Sequence, residues 1–261
     1  MQSGLWPNIS VSCDLNSQLL RLLSARSVEA AWAIFTVEME RFGFDRVLYG
    51  MTRFRTEASL GDPKDMLILS NHSDRYVRKF VDDRMFVSAP MAIWAIENDG
   101  AMSWSFVATM ETKLTAAQLK VMELNKNFGV LAGYTISFPD PSPRQKAAMG
   151  LTARPGLTQC DVENIWARSG QDIEILAQVA HLKFASLPVP QAQRCLSKRQ
   201  REVLEWVSEG KTTQDVATIM GLTAATIEKH LRKARDALQV ETTAQAVMKA
   251  SLQRQIFVFE S

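Results

Sequence analysis

The sequence predicts an α+β protein in two parts: an N-terminal α/β/α sandwich with an antiparallel sheet, and an all-α C-terminal domain of four helices. Three observations support this prediction. Helical patterns flank several short strand-like segments, as in sheets covered by helices. Two prolines, Pro188 and Pro190, then interrupt the chain. Four closely spaced helix-start signals follow these prolines.

The N-terminal elements are predicted from hydrophobic periodicity. One helix is expected over 14–42, and Gly43 would end it, since glycine often follows a helix. Further helices are expected over 74–86 and 116–127, and a long amphipathic helix includes 169–184. Strand-like segments lie at 46–51, 65–69, 102–104, 133–138 and 147–153.

A domain boundary is predicted where the helical pattern ends. The segment 186–194 contains Pro188 and Pro190, and two prolines spaced by one residue favour an extended connection. We therefore expect a sensor and dimerisation domain over 1–185, a linker over 186–194 and a second domain over 195–261.

Hydroxyl residues mark the starts of the C-terminal helices. Ser197 begins a capping box with Gln200, and threonines at 212–213, 223 and 242–243 are suited to cap the next three helices. The third helix has one apolar stripe, at Ile227, Leu231, Ala234 and Leu238.

A short helix, a glycine-containing turn and a longer helix with a basic outer face are typical of a helix-turn-helix. Arg232 is the best candidate for a bidentate contact to guanine. Glu228 is expected either to accept a hydrogen bond from cytosine N4 or to exclude wrong bases. The candidate DNA contacts are Lys198, Lys211, Thr223, Thr226, Glu228, Lys229, Arg232 and Lys233. The alternative is a solvated charged face on a packing helix.

Charge and cysteine content narrow the class of protein. Residues 191–261 carry 11 basic against 8 acidic side chains, whereas the preceding 190 residues carry 19 against 20. The basic excess thus lies where a polyanion would bind. Three cysteines and three histidines fit no metal-ligand spacing, so no metal and a reducing cytoplasm are expected. No apolar run is long enough for a membrane span.

The C-terminal sequence closely resembles the DNA-binding domain of LuxR-type regulators. The matching stretches are LSKRQREVLEWVSEGKT, DVATIMGLTAATIEKHLRKARDALQV and the Thr-x-x-Gln-Ala-Val start of the last helix. The family usually has Lys or Asn at the position of Glu228, and often Asn at that of Lys233. The resemblance implies duplex DNA as partner, but the operator should not be assumed to be the common one.

The N-terminal sequence resembles the autoinducer-binding domain of the same regulators, the acyl-homoserine lactone sensor. Pro90, Trp104 and Gly133 keep the family positions. Three polar positions differ, because Tyr76 replaces a Trp, Phe80 a Tyr and Ala89 an Asp. In the family these side chains hydrogen-bond the lactone carbonyl, the amide carbonyl and the amide N–H.

The resemblance implies candidate pocket residues, which are Tyr49, Tyr76, Phe80, Ala89, Trp104 and Thr152. A buried amide N–H without an acceptor costs about 1–3 kcal/mol, so loss of the acidic side chain weakens lactone binding. Three alternatives remain: a domain filled by its own aromatic side chains, a site for a non-standard apolar ligand, and an ordinary acyl-homoserine lactone site. No cofactor is expected.

These observations favour a homodimeric, ligand-independent or unusually tuned transcription factor on an inverted-repeat site, with RNA polymerase as a further partner. Dimerisation is expected through the long helix ending near Phe184 and the last helix around 246–252. An N-terminal protein-interaction module is the first rival. An enzyme is disfavoured, since His72 and Cys160 have no partnered arrangement. Thiol redox sensing is a further alternative, and it would depend on three cysteines that show no regular spacing.

Overall fold

The computed structural model describes residues 15–56, 59–139, 142–188 and 195–257. Its contacts divide the chain into two compact units, Met1–Ala185 and Ser186–Ser261. Most of the segment expected to be a linker, 189–194, lies outside the described residues, as does Cys13.

A five-stranded antiparallel sheet forms the centre of the first unit. Its strands are β1 (Phe44–Thr52), β2 (Leu67–Ser70), β3 (Gly100–Ser103), β4 (Gly133–Phe138) and β5 (Lys146–Ala153). They are ordered β2-β1-β5-β4-β3, and every neighbouring pair is antiparallel. The predicted α+β class with an antiparallel sheet is therefore confirmed.

Helices cover both faces of this sheet. The helices are α1 (Leu15–Ser24), α2 (Val28–Arg41), α3 (Asp74–Val77), α4 (Pro90–Glu97), α5 (Ala116–Asn127) and α6 (Gln159–Ser186). On one face Tyr49 of β1 packs against Phe184 of α6, with ring centroids 5.1 Å apart. The opposite face meets α3 and α4 across the cavity described below.

The first predicted helix is in fact two helices. The hydroxyl of Ser27 accepts a hydrogen bond from the Ala30 backbone N–H, so a new helix begins at Val28. The two helices are joined by the buried carboxylate of Glu38, which accepts from Gln18 at 2.9 Å and Arg21 at 3.0 Å. The break between α1 and α2 was not predicted, because the hydrophobic periodicity of the sequence continues across it.

The predicted helix over 74–86 is also wrong in its second half. Helix α3 passes into a π-helical turn over Arg78–Asp82, and Arg84 adopts a left-handed conformation with φ 57°. A 3-10 turn, Met85–Ser88, then leads into α4, which sequence reasoning missed. Another 3-10 segment begins at Trp104, where a strand was expected.

The second unit contains four helices: α7 (Lys198–Ser208), α8 (Thr213–Met220), α9 (Ala224–Leu238) and α10 (Thr243–Leu252). The side chains of Ser197, Thr212, Thr223 and Thr242 cap them in that order. Their core includes the predicted stripe of α9, with Ile227, Leu231, Ala234 and Leu238 all buried. The predicted four-helix domain is confirmed.

Within the described parts of the chain, no helix combines the length and apolar character that crossing a bilayer requires. The same residues contain no group of three or more His, Cys, Asp or Glu side chains arranged to hold a metal ion.

Candidate ligand cavity and nucleic-acid interface

A mainly apolar cavity of about 240 Å³ lies between the sheet and the helices on one of its faces. Its floor comes from β1, β4 and β5, and its other walls come from α3, α4, α5 and the segments between them. Five of the six predicted pocket residues line it, namely Tyr76, Phe80, Ala89, Trp104 and Thr152.

Tyr49 does not line the cavity, so the prediction that it is a pocket residue is wrong. Successive residues of a strand point to opposite faces, and its neighbours Leu48 and Gly50 line the cavity. Tyr49 instead packs on the α6 face, where its hydroxyl is 2.9 Å from Nδ1 of His181.

Three aromatic rings are stacked along one wall of the cavity. Tyr76 lies between His72 and Phe80, with centroid distances of 4.7 and 5.4 Å. The Tyr76 hydroxyl donates to Oδ1 of Asn125 at 3.0 Å. Burial raises the pKa of Tyr76 far above its usual value, so this hydroxyl stays protonated. The stack thus fixes a neutral, aromatic wall.

Trp104 forms a second wall against the sheet. Its indole N–H donates to Oγ1 of Thr135 at 2.9 Å. A Cβ added at Gly133 would lie 2.9 Å from the Trp104 ring, and one at Gly150 would lie 3.9 Å from it. The indole therefore rests on strand positions without side chains, which holds the ring flat against the sheet.

The polar atoms of the cavity include residues that the sequence did not indicate. His72 lies 3.5 Å from the hydroxyl of Thr152, through Nε2, and both side chains are buried. Burial, followed by the charge of Arg46, lowers the pKa of His72 to about 4, so the imidazole is neutral near pH 7. His72, Thr135 and Asn125 were missed. His72 lies four residues before Tyr76, and this spacing could have indicated that the two rings lie on the same wall of the cavity.

Ala89 occupies the cavity wall just before α4 and is 5% exposed. No carboxylate is among the residues that line the cavity in the described chain. The one cationic lining residue, Lys146, donates to Asp99 at 2.7 Å. The cavity consequently offers hydroxyl, imidazole and amide groups but no free charge.

Helices α8 and α9 form the predicted helix-turn-helix. Gly221 ends α8 in a left-handed conformation with φ 64°, which glycine adopts without strain. Thr223 then starts α9, and its hydroxyl lies 2.9 Å from that of Thr226. The Thr223 hydroxyl caps the helix by accepting from the Thr226 backbone N–H, and both hydroxyls are candidate DNA contacts.

The outer surface of α9 carries the predicted contacts. Glu228, Lys229, Arg232 and Lys233 are exposed there, and Lys198 and Lys211 are exposed on and after α7. Arg235, two residues further along α9, donates to the Thr243 hydroxyl at 2.9 Å and is partly buried. The predicted contacts that are exposed on α9 therefore lie within its first three turns.

A cavity in an α/β/α unit together with a helix-turn-helix unit defines a class: one-chain regulators that join a small-molecule sensor to a DNA-binding domain. The autoinducer-binding domain family matches residues 27–184, and the LuxR family of bacterial regulatory proteins matches 194–250. The chain belongs to the LuxR family of transcriptional regulators with an autoinducer-binding domain. It is a quorum-sensing type of regulator, and its relatives are transcriptional regulators rather than enzymes.

Several known proteins are similar to this chain. The transcriptional activator ExpR of Dickeya dadantii is 26% identical over 179 residues, covering 65% of this chain and 70% of that protein. The quorum-sensing regulator RhlR of Pseudomonas aeruginosa is 24% identical, covering 77% and 79%. The structure of the N-acylhomoserine lactone-dependent factor CepR2 of Burkholderia cenocepacia has a TM-score of 0.51 at 19% identity, covering 65% and 93%.

Proposed function

We propose that this regulator binds duplex DNA through α9 and responds to a small, neutral, mainly apolar molecule that lacks the amide N–H of acyl-homoserine lactones. The observation that carries the ligand part is Ala89 in a cavity wall without a carboxylate. The DNA part rests on the exposed basic residues of α9 in a LuxR-family domain.

The size of the cavity supports a small ligand. Its volume of about 240 Å³ lies below the roughly 300–1,000 Å³ typical of pockets for drug-sized molecules. The existence of the cavity argues against a domain filled completely by its own side chains. It also argues against a plain protein-interaction module.

The polar groups of the cavity support a ligand that accepts hydrogen bonds. Thr135 and Thr152, which are 6% and 2% exposed, line the cavity from β4 and β5 and supply hydroxyl groups. A ligand amide N–H near Ala89 would lose its hydrogen bond to water without a replacement. The cost of about 1–3 kcal/mol corresponds to roughly a tenfold or larger loss of affinity.

A conventional acyl-homoserine lactone response is the second candidate. It is favoured by the positions of Pro90 and Trp104, both in the cavity wall, and by the Tyr76 hydroxyl. On this alternative Tyr76 would exchange its bond to Asn125 for one to the lactone.

We further propose that the active form is a homodimer on an inverted-repeat site. Leu182 of α6 and Met248 of α10 are large apolar side chains, 58% and 46% exposed, on the two helices predicted to dimerise. Phe184 itself is fully buried within the first unit, against Trp32 and Phe35. The α6 interface would thus use Leu182 rather than Phe184, whereas Met248 lies within the predicted range 246–252. The DNA-bound dimer would contact RNA polymerase at the promoter.

The test is a paired measurement on the full-length protein. Its unfolding midpoint and its affinity for promoter-length duplex DNA are measured alone and with acyl-homoserine lactones of four to twelve carbons. Ligand at about one hundred times its dissociation constant should stabilise the folded state by about 2.7 kcal/mol. We expect DNA binding and no such stabilisation by any lactone. Stabilisation by one lactone in that range would favour the conventional sensor.

A further inference from the structure

Two residues from different helices meet on the outer side of the helix-turn-helix. Thr213, the first residue of α8, donates from its hydroxyl to Oε1 of Glu228 on α9 at 3.0 Å. Glu228 is exposed, and Thr213 is partly exposed. The recognition helix therefore presents a carboxylate that the neighbouring helix already holds.

This hydrogen bond restricts a side chain that is otherwise free to rotate. Ordering a long glutamate side chain costs rotamer entropy. Because Thr213 holds Oε1, the side chain is already partly ordered before DNA binds, and less entropy is lost on binding. The second oxygen, Oε2, can accept one further hydrogen bond. A carboxylate held in this way discriminates better between donors than a mobile one.

The surroundings of Glu228 give it a defined place on the α9 surface. Arg232 follows four residues later, so it is one turn and about 6 Å further along the same face. Lys229 and Lys233 form the adjacent stripe with the same spacing. Successive base pairs are about 3.4 Å apart, so Glu228 and Arg232 would meet base pairs one or two steps apart.

We infer that the Thr213–Glu228 pair is a specificity element, in which Thr213 positions Glu228 to accept a hydrogen bond from cytosine N4 in the major groove. The inference rests on the proposed DNA binding by α9. A carboxylate can accept from the cytosine amino group, whereas it is repelled by the acceptors N7 and O6 of guanine. The half-site should therefore contain one position at which cytosine is required.

The same carboxylate has a second effect, because it places a negative charge near phosphates. It should lower affinity for every duplex while raising discrimination between them. A merely structural contact between α8 and α9 would give no base preference, although the charge would still lower affinity for every duplex. Base preference is thus the readout that separates positioning from folding.

The experiment is selection of bound sequences from a randomised duplex library by the full-length protein at fixed salt. The variants are T213V, T213S, E228A and E228Q, with E241Q as control, since Glu241 is an exposed carboxylate outside α8 and α9. Unfolding midpoints of all variants are measured in parallel. The affinity of each for an unselected duplex reports the non-specific component.

We expect the wild type to prefer cytosine about tenfold or more at one position of each half-site. E228A should abolish that preference and bind unselected DNA more tightly, and E228Q should shift it to adenine, because Gln pairs with adenine N6 and N7. T213V should weaken the preference about threefold, while T213S and E241Q should retain it. Unchanged base preference in E228A, or in T213V, would overturn the inference. Failure of the wild type to enrich any sequence would overturn DNA recognition by α9 as well.

Discussion

The hydroxyl of Tyr76 donates to Oδ1 of Asn125 at 3.0 Å across the cavity wall. Tyr76 stands where the family resemblance places a tryptophan that donates to a ligand carbonyl. Here the donor is already used by a side chain of α5. Ala89 carries no hydrogen-bond acceptor on its side chain and Phe80 carries no hydroxyl, and the Tyr76 hydroxyl donates within the protein.

DNA affinity should depend differently on two neighbouring residues of α9. Arg232 is the proposed bidentate base contact, so Arg232→Ala should lower affinity for a selected site by about 1–3 kcal/mol, roughly five- to 150-fold. Lys233→Ala should weaken binding to all duplexes alike and reduce the slope of log affinity against log salt by about one. Fluorescence anisotropy over a salt series measures both.

Arg235→Ala serves as the matched control for these variants. This side chain donates to Thr243 and is partly buried. Its loss should therefore lower the unfolding midpoint, while the base preference should stay as in the wild type. Equal losses of affinity on selected and random duplexes in Arg232→Ala would contradict a base-reading role.

Stability of the first unit should depend strongly on Gly133. A Cβ at this position would collide with the carbonyl oxygen of Leu151 and the ring of Trp104. Gly133→Ala should therefore reduce the free energy of unfolding by about 1–3 kcal/mol or more. Gly50→Ala is the control, since its Cβ would meet only Ile68 Cδ1, at an ordinary 3.5 Å. Urea denaturation of both variants tests this, and similar losses in the two would be against it.

The unfolding free energy should fall between pH 7 and pH 5. Burial, followed by the charge of Arg53, lowers the pKa of His181 to about 4 from the ordinary 6.5. Below pH 6.5 the unfolded chain therefore takes up a proton that the folded protein does not, until the pH reaches about 4. Between pH 7.5 and 5 this linkage removes about 2 kcal/mol of stability.

His181→Gln should flatten this part of the pH profile, because glutamine can hydrogen-bond Tyr49 but does not titrate there. The quantity compared is the slope of the unfolding free energy against pH. A loss of stability that is equal at every pH does not change this slope. The measurement is chemical denaturation at half-unit pH steps. A variant with the full wild-type slope would exclude His181 as the cause. The pKa of His72, also about 4, adds a similar dependence that the variant keeps.

The helix-turn-helix was predictable because its signals are local. Ser197 and Thr223 cap helices by accepting hydrogen bonds from residues three positions ahead. Gly221 ends α8 through its own left-handed conformation. None of these depends on distant parts of the chain. The Thr213–Glu228 bond was not predictable, since it joins helices whose relative angle is set by packing.

The cavity was only partly predictable. Tyr76, Phe80 and Ala89 were found through the family resemblance. Tyr49 was placed on the wrong face, because alternation along β1 gives two faces without saying which one covers a cavity. Helix α4 was missed since it is apolar almost throughout and begins at Pro90, which reads locally as a break.

The most direct test of the account uses two ligands that differ in one group. They are N-hexanoyl homoserine lactone and its ester analogue, in which oxygen replaces the amide N–H. Their dissociation constants are measured by calorimetry for the wild type and Ala89→Asp. Ala92→Asp is the control, with the same carboxylate elsewhere in the wall. We predict that Ala89→Asp binds the amide at least tenfold more tightly than the wild type does, with no gain for the ester or in the control. Wild-type protein that binds the amide as tightly as the ester, with no gain in Ala89→Asp, would contradict the account.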